Sequence, residues 1–189
     1  MPLYTIEPWR SDHDCAAFSS GMQAIDRYLK NQASRDMSSH ASLVFVLTER
    51  NSNVVRGYYT LSALGIVFAE LPEKTQKKLP RYPQVGATLL GRLGVDRAFK
   101  TSEQQRLGEN PRLGELLFFD AQKTALSGAT STAGSTMMII DVYAPTAEEA
   151  VSGVREPMEF YTQYGFAPFP GNARRVFKLM RLIEQEFAQ

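Results

Sequence analysis

The sequence predicts an α/β protein with a sheet of mixed strand direction. Two short apolar runs, 43–47 and 54–63, are separated only by the polar stretch 49–53, the spacing of an antiparallel pair. A third run, 87–95, is joined to a fourth, 137–142, through a segment of helical periodicity, the connection of a parallel pair. Glycine and proline punctuate the rest.

Taken in order, Met22, Ile25, Leu29 and Met37 recur at helical spacing, so a helix is expected over 20–38, with Ser20 as its N-cap. Leu43–Leu47 is a continuous apolar run. From Val54 onward, Val55, Gly57, Tyr59, Leu61 and Ala63 alternate with Arg56, Tyr58, Thr60 and Ser62. Residues 69–86, with Pro72, Pro80 and Pro83 among lysines and glutamines, read as a long surface loop. Ala87–Val95 reads as a strand in which Gly91 and Gly94 mark a bulge or a close backbone approach. Residues 97–110 read as a polar loop. Leu113, Leu117, Phe118, Ala121 and Ala125 then give a helix, and Ser127–Thr136 a flexible connector. Met137–Val142 is a buried strand, Ala147–Val151 and Pro157–Tyr164 are helical, Gly165 is a helix C-cap, and Arg175–Leu182 is the last strand.

With 189 residues, 43% hydrophobic and 22% charged, the chain has the composition of one globular domain spanning 1–189, which excludes disordered, collagen-like and coiled-coil classes. One cysteine, Cys15, and two histidines, His13 and His40, are too few for a Cys/His zinc site or an intramolecular disulfide, and they supply a Ser-His-Asp relay poorly. No metal is expected. The opening MPLYTIEPWRSDHD lacks an apolar signal region and no run approaches 18 apolar residues, so a cytoplasmic protein without membrane contact is expected.

The net charge of +1 hides a segregation. Residues 74–106 hold eight bases and two acids, a balance of +6, and 172–181 add +4 through Arg174, Arg175, Lys178 and Arg181, whereas 107–171 carry eight acids against three bases. Two basic segments on one face would hold phosphates.

Three segments in order, RLGVD at 92–96, RLGELLFFDA at 112–121 and FYTQYGF at 160–166, resemble the GNAT acetyltransferases. With FSSGMQAIDRYL at 18–29 and GYYTLSA at 57–63, they resemble more narrowly the GNAT toxins of bacterial toxin–antitoxin systems. The resemblance implies a mostly antiparallel central sheet flanked by helices, and acetyl-CoA as co-substrate. Leu93, Gly94 and Val95 match the strand end whose backbone pairs with the pantetheine arm and supplies an oxyanion donor. The pyrophosphate loop, usually Gln/Arg-x-x-Gly-x-Gly/Ala, falls on Asn110, Arg112, Leu113 and Gly114, where Asn110 and Arg112 take glycine positions and FKTSEQQRLGENPR replaces a short turn. A second extension, APTAEEAVSGVREPME, precedes Phe160. Tyr161 matches the tyrosine that protonates the departing thiolate.

The same resemblance implies aminoacyl-tRNA as acceptor, a ribbon-helix-helix antitoxin as partner, and a homodimer; the two basic segments offer Arg81, Arg92, Lys100, Arg174, Arg175 and Lys178 as RNA-binding cations. The chemistry agrees with the acceptor. An α-amine has a reference pKa of about 7.7–8.0 against about 10.4 for lysine, so it is substantially neutral at pH 7 and needs no strong base, and none is evident here. Two other readings are open: acetylation of a small amine or a protein N-terminus, and a non-catalytic GNAT-like interaction protein whose altered loop no longer binds the coenzyme.

Overall fold

The computed structural model describes residues 3–107 and 112–188. In chain order the elements are β1 (Tyr4–Pro8), α1 (Gln23–Asn31), α2 (Ala33–Ser38), β2 (Leu43–Glu49), β3 (Val55–Val67), α3 (Glu73–Gln76), β4 (Gln84–Val95), α4 (Arg97–Leu107), α5 (Leu113–Ser131), β5 (Met137–Asp141), α6 (Ala147–Val151), α7 (Met158–Thr162), β6 (Ala167–Phe169), β7 (Asn172–Leu179) and α8 (Met180–Phe187). The strands form one sheet in the order β1-β2-β3-β4-β5-β7-β6.

The direction of the sheet follows from its connections. β2 and β3 pair antiparallel, Val46 opposite Tyr58 and Leu43 opposite Leu61, across a tight turn in which Asn51 takes φ 62°. Asparagine tolerates that left-handed conformation better than other non-glycine residues. β4 and β5 pair parallel from Ala87↔Met137 to Leu90↔Ile140, with α5 as the crossover. β1–β2, β5–β7 and β6–β7 are antiparallel. The expected mixed, mostly antiparallel sheet with flanking helices is therefore the observed one.

By internal contacts the chain forms two compact units. The first comprises 1–61, 92–121 and 145–154. Its core is aromatic: Tyr58 stacks with Tyr28 at 6.2 Å and meets Phe18 edge-on at 5.6 Å, and the Tyr58 hydroxyl donates to the Ile25 carbonyl at 2.8 Å. That bond satisfies a polar group which would otherwise be costly to bury. The second unit comprises 62–91, 122–144 and 155–189, and packs Ile66, Leu71, Val85, Ala87, Met137, Ile139, Phe169, Phe177 and Leu179 together.

Several sequence expectations are corrected. The helix expected over 20–38 is two helices broken at Gln32, and Ser20 is not its N-cap. Gly21 takes φ +84° and carries Ser20 off the helix axis, where its hydroxyl bonds Asp26 at 2.5 Å. The first-turn amide of Gln23 is instead satisfied by the Glu149 carboxylate at 2.8 Å. The loop expected over 69–86 contains α3, and β4 begins at Gln84.

Residues 97–107 are helical, not a loop. Asp96 caps this helix, accepting the Phe99 N–H at 2.6 Å with one carboxylate oxygen and the Ser19 N–H at 3.0 Å with the other. Inward on α4 lie Phe99 and, one turn later, Glu103. The Arg106 guanidinium grips Glu103 at 2.6–2.7 Å and the Tyr4 hydroxyl donates to it, so its carboxyl is held down to about 2. The helix is pinned by charge and one aromatic ring rather than by an apolar stripe. The connector expected at 127–136 is helical as far as Ser131, and β1, β6 and α8 were not expected at all; Arg175–Leu182 divides between β7 and α8.

Candidate active site

In the first unit the site begins at the end of β4. Pairing with β5 stops at Leu90, while β4 continues to Val95. The Asp96 N–H donates to the Arg56 carbonyl of β3 at 2.8 Å, and a Cβ added to Gly57 of β3 would lie 3.3 Å from the Gly94 carbonyl oxygen. Even-numbered peptide groups therefore face β3. Because successive residues of a strand alternate, the N–H and C=O groups of Leu93 and Val95 face away from β3. Such an edge can pair with an extended chain.

Gly94 earns its place by packing. A Cβ there would stand 2.7 Å from Cγ2 of Ile25, 3.4 Å from Phe18 and 3.5 Å from Ser20. The obstructing methyl belongs to a β-branched side chain on α1 and has little freedom to move. Gly94→Ala is expected to destabilise the protein by about 1–3 kcal/mol through overpacking, lowering Tm by several degrees in a thermal melt. An unchanged Tm would show that α1 yields at no cost. Arg92 lies on the same face of β4, its guanidinium 3.8 Å from the Tyr28 ring centroid, and the Tyr28 hydroxyl donates to Asp36 at 2.8 Å.

The second element is the start of α5. Arg112 has φ 49°, the left-handed conformation that a glycine adopts freely. It is one of the two positions where the family pattern described above has a glycine and this chain has arginine or asparagine. The other, Asn110, lies outside the described residues. The Arg112 carbonyl accepts from Leu116, and its guanidinium, 72% exposed, reaches Glu115 at 3.4 Å. Leu113 is fully buried and seats the start of α5 in the core, while Gly114 beside it is partly exposed. At Gly114 nothing lies within 4 Å of an added Cβ. Packing does not require this glycine; it leaves open space beside first-turn amides that lack intrahelical partners. An anion fits there, because the helix dipole and the orphan N–H groups both favour negative charge.

In the second unit, Tyr161 lies on α7, 7% exposed, its ring edge-on to Phe160 at 5.2 Å. Burial pushes its phenol above the ordinary tyrosine value, so it holds its proton. Gly165, at φ +78°, ends this stretch in the C-cap conformation expected.

The six cations assigned to RNA divide sharply. Arg81 and Lys100 are exposed, and Arg92 is half-buried. Arg174 donates to the Val142 carbonyl at 3.2 Å, the Glu156 carboxylate at 2.9 Å and the Tyr143 carbonyl, while Arg175 forms a bidentate pair with Asp141 at 2.6 and 2.8 Å. Lys178 is 3% exposed and donates to Tyr164 and Glu186. The cluster that sums to +4 in sequence is thus largely answered by acids distant in the chain, and Lys178 is withdrawn from solvent. Asp120, which accepts the Tyr59 hydroxyl at 2.7 Å, and Asp141 are both occupied structurally.

Two structural carboxylates escaped the sequence reading. Asp96 precedes a run rich in helix formers, and Thr146 with Glu149 is a capping box legible as T-x-x-E. Among the described residues no group of three or more His, Cys, Asp or Glu could hold a metal ion, and no helix is long and apolar enough to cross a membrane.

No protein-family model matches the sequence. The chain is 28% identical over 173 residues to a protein named "Probable toxin TacT" from Sinorhizobium fredii, covering 91% of this chain and 88% of the relative. It is also 28% identical over 168 residues to a "tRNA-acetylating toxin" from Mycobacterium tuberculosis, covering 89% and 87%. Among solved structures, a tyrosine-to-phenylalanine mutant of KacT superposes with a TM-score of 0.79 at 22% identity, covering 98% of this chain and all of that one. AtaT complexed with acetyl-methionyl-tRNAfMet gives 0.76 at 25% identity, covering 97% and 99%. A tyrosine-to-phenylalanine mutant of AtaT bound to the C-terminus of the antitoxin AtaR and acetyl-CoA gives 0.72 at 22% identity, covering both chains fully. The fold is the GNAT fold of these toxins.

Proposed function

We propose that this chain, which shares the GNAT fold and 28% sequence identity with tRNA-acetylating toxins, is an acetyl-CoA-dependent N-acetyltransferase that modifies the α-amino group of aminoacyl-tRNA and so blocks translation. The observation that carries the reading is the start of α5, where a left-handed Arg112 and an unfilled Gly114 leave amides open to a pyrophosphate. The non-catalytic reading requires that anion site to be lost, and its backbone features are retained. Residues 1–189 act as one acetyltransferase domain in this reading, in the cytoplasm where charged tRNA is found.

Acetyl-CoA supplies an acetyl group activated as a thioester. Leu113 anchors the start of α5 in the core, so that the Gly114 amide and the Arg112 guanidinium hold the pyrophosphate. The outward peptide groups of Leu93 and Val95 pair with the pantetheine arm. One of their N–H groups takes up the negative charge that grows on the thioester carbonyl oxygen as the amine adds, and a preorganised donor of this kind contributes about 3 kcal/mol. Tyr161 gives its phenolic proton to the sulfur as the carbon–sulfur bond breaks. The proton lost by the amine passes to solvent and restores the phenol. An antitoxin of the ribbon-helix-helix type and a second copy of the chain are the protein partners.

The test is incubation with acetyl-CoA and a full set of charged tRNAs. N-acetyl-aminoacyl-tRNA is expected, and its absence across the whole set overturns the proposal. The internal pairing of Arg174, Arg175 and Lys178 favours a second reading, a smaller acceptor such as a free amine or a protein N-terminus. The same reactions with amino acid amides or peptides separate the two, since a small-amine enzyme turns these over without RNA.

A further inference from the structure

Within the second unit, the segment 72–83 joins β3 to β4 and carries Lys74, Lys77, Lys78 and Arg81, all exposed, with Glu73 as its one acid. Among the described residues none of these four cations enters an ion pair, in contrast to Arg174, Arg175 and Lys178. Four exposed cations outside any ion pair thus lie within the eight residues 74–81 and are available to a polyanion.

Tyr82 stands in the same segment with 62% of its surface exposed, more than Phe187 at 42% or Phe119 at 37%. Its position is stiff. Pro80 and Pro83 fix the backbone on either side, the Tyr82 N–H donates to the Pro80 carbonyl at 3.1 Å, and the Pro83 carbonyl accepts the Phe68 N–H at 3.0 Å. In the same stretch, Leu71 belongs to the second unit's apolar core, and Phe68 and Leu79 pack against it. A phenol ring held outward costs apolar hydration and gains nothing from the fold. An aromatic ring among unpaired cations is the arrangement by which proteins hold single-stranded nucleic acid: bases stack on the ring while lysines and arginines neutralise neighbouring phosphates.

We infer that Tyr82 is a base-stacking residue for the RNA acceptor: an unpaired nucleotide lies on its ring while Lys74, Lys77, Lys78 and Arg81 hold the adjoining phosphates. This rests on the RNA reading above and adds to it a residue outside the family motifs. The ring, not the hydroxyl, carries the contact.

The experiment titrates fluorescently labelled deacylated tRNA, with its unpaired 3′ end, and a blunt-ended two-stranded RNA duplex with no unpaired nucleotides against the full chain. Tyr82→Ala is expected to weaken tRNA binding about 10-fold, to leave the duplex within two-fold, and to keep the salt slope and Tm of the wild type. Tyr82→Phe restores wild-type binding. The Lys77→Ala/Lys78→Ala double variant lowers the magnitude of the salt slope by about 1.4, at about 0.7 per phosphate contact on a single strand. In turnover, Tyr82→Ala raises KM for the charged tRNA and leaves kcat unchanged. The inference is overturned if Tyr82→Ala binds tRNA within two-fold of wild type, if Tyr82→Phe is as weak as Tyr82→Ala, or if the wild type shows no salt-dependent tRNA binding. Because deacylated tRNA needs no chemistry, Tyr82-dependent binding without acetyl transfer upholds the stacking role while overturning the acetyltransferase reading. Acetyl transfer with Tyr82-independent binding does the reverse.

Discussion

Tyr161→Phe is expected to reduce kcat for acetyl transfer by about 100- to 10,000-fold, the range typical of removing a positioned proton donor, while the Kd for acetyl-CoA stays within two-fold. The ring fills the same buried volume in both proteins and keeps its edge contact with Phe160, so folding changes little. What is lost is the hydroxyl group and, with it, the transferable proton. The expected pH dependence follows from the direction of the phenol shift. Burial raises its value above the ordinary tyrosine, so Tyr161 stays protonated through the physiological range and beyond it. The acid limb of kcat/KM therefore belongs to the acceptor amine, rising with a midpoint near pH 8, and Tyr161 imposes no alkaline limb below about pH 10. Single-turnover kinetics with excess enzyme, combined with calorimetry of acetyl-CoA binding, measure the two quantities separately. Unchanged kcat, or a wild-type alkaline limb near pH 9 that the variant lacks, removes Tyr161 from this role.

The five inner strands of the sheet, β2, β3, β4, β5 and β7, were legible in sequence because their information is local, and the edge strands β1 and β6 were not. Apolar runs such as Met137–Ile140 and the alternation from Val55 to Ala63 report burial by themselves, and the short turn at 50–54 fixes the direction of its pair. The failures have a common cause. α4 has almost no apolar stripe, since what it buries is one phenylalanine and a carboxylate whose partners, Tyr4 and Arg106, include a residue 99 positions away. Likewise α1 is capped by Glu149 from a helix 126 residues later, and no local reading could move its start from Ser20. Charge counting failed for the same reason at Arg174, Arg175 and Lys178, whose acids come from Glu156, Asp141 and Glu186. The proposed anion site was partly legible. The motif assigned Leu113 and Gly114 to it, whereas the left-handed backbone at Arg112 is a conformation that arginine does not advertise.

Gly114→Asp is expected to uncouple stability from coenzyme binding. Gly114 is the second residue of α5, and the space beside it is empty. On folding alone the substitution is favourable: a glycine within a helix costs roughly 0.5–1 kcal/mol relative to alanine, of which aspartate recovers a part, and an acid in the first turn gains about 0.3–1 kcal/mol from the helix dipole. Tm is expected to hold or to rise by a few degrees. For acetyl-CoA the same carboxylate occupies the place of the pyrophosphate and opposes its charge. Like charges about 4 Å apart repel by about 4 kcal/mol at an effective dielectric of 20, and screening at physiological salt reduces this to a loss on the order of 100-fold in affinity. Gly114→Ala separates the two contributions, since it adds a methyl group without charge; its loss of affinity reports how closely the ligand approaches the helix. A destabilised fold is the usual reason for a variant to lose binding, and here the sign of that effect is opposite. Raised or unchanged Tm with acetyl-CoA affinity lost would locate the pyrophosphate at the start of α5. Unchanged affinity in the aspartate variant would move the coenzyme elsewhere, and with it the roles given to Arg112 and Leu113.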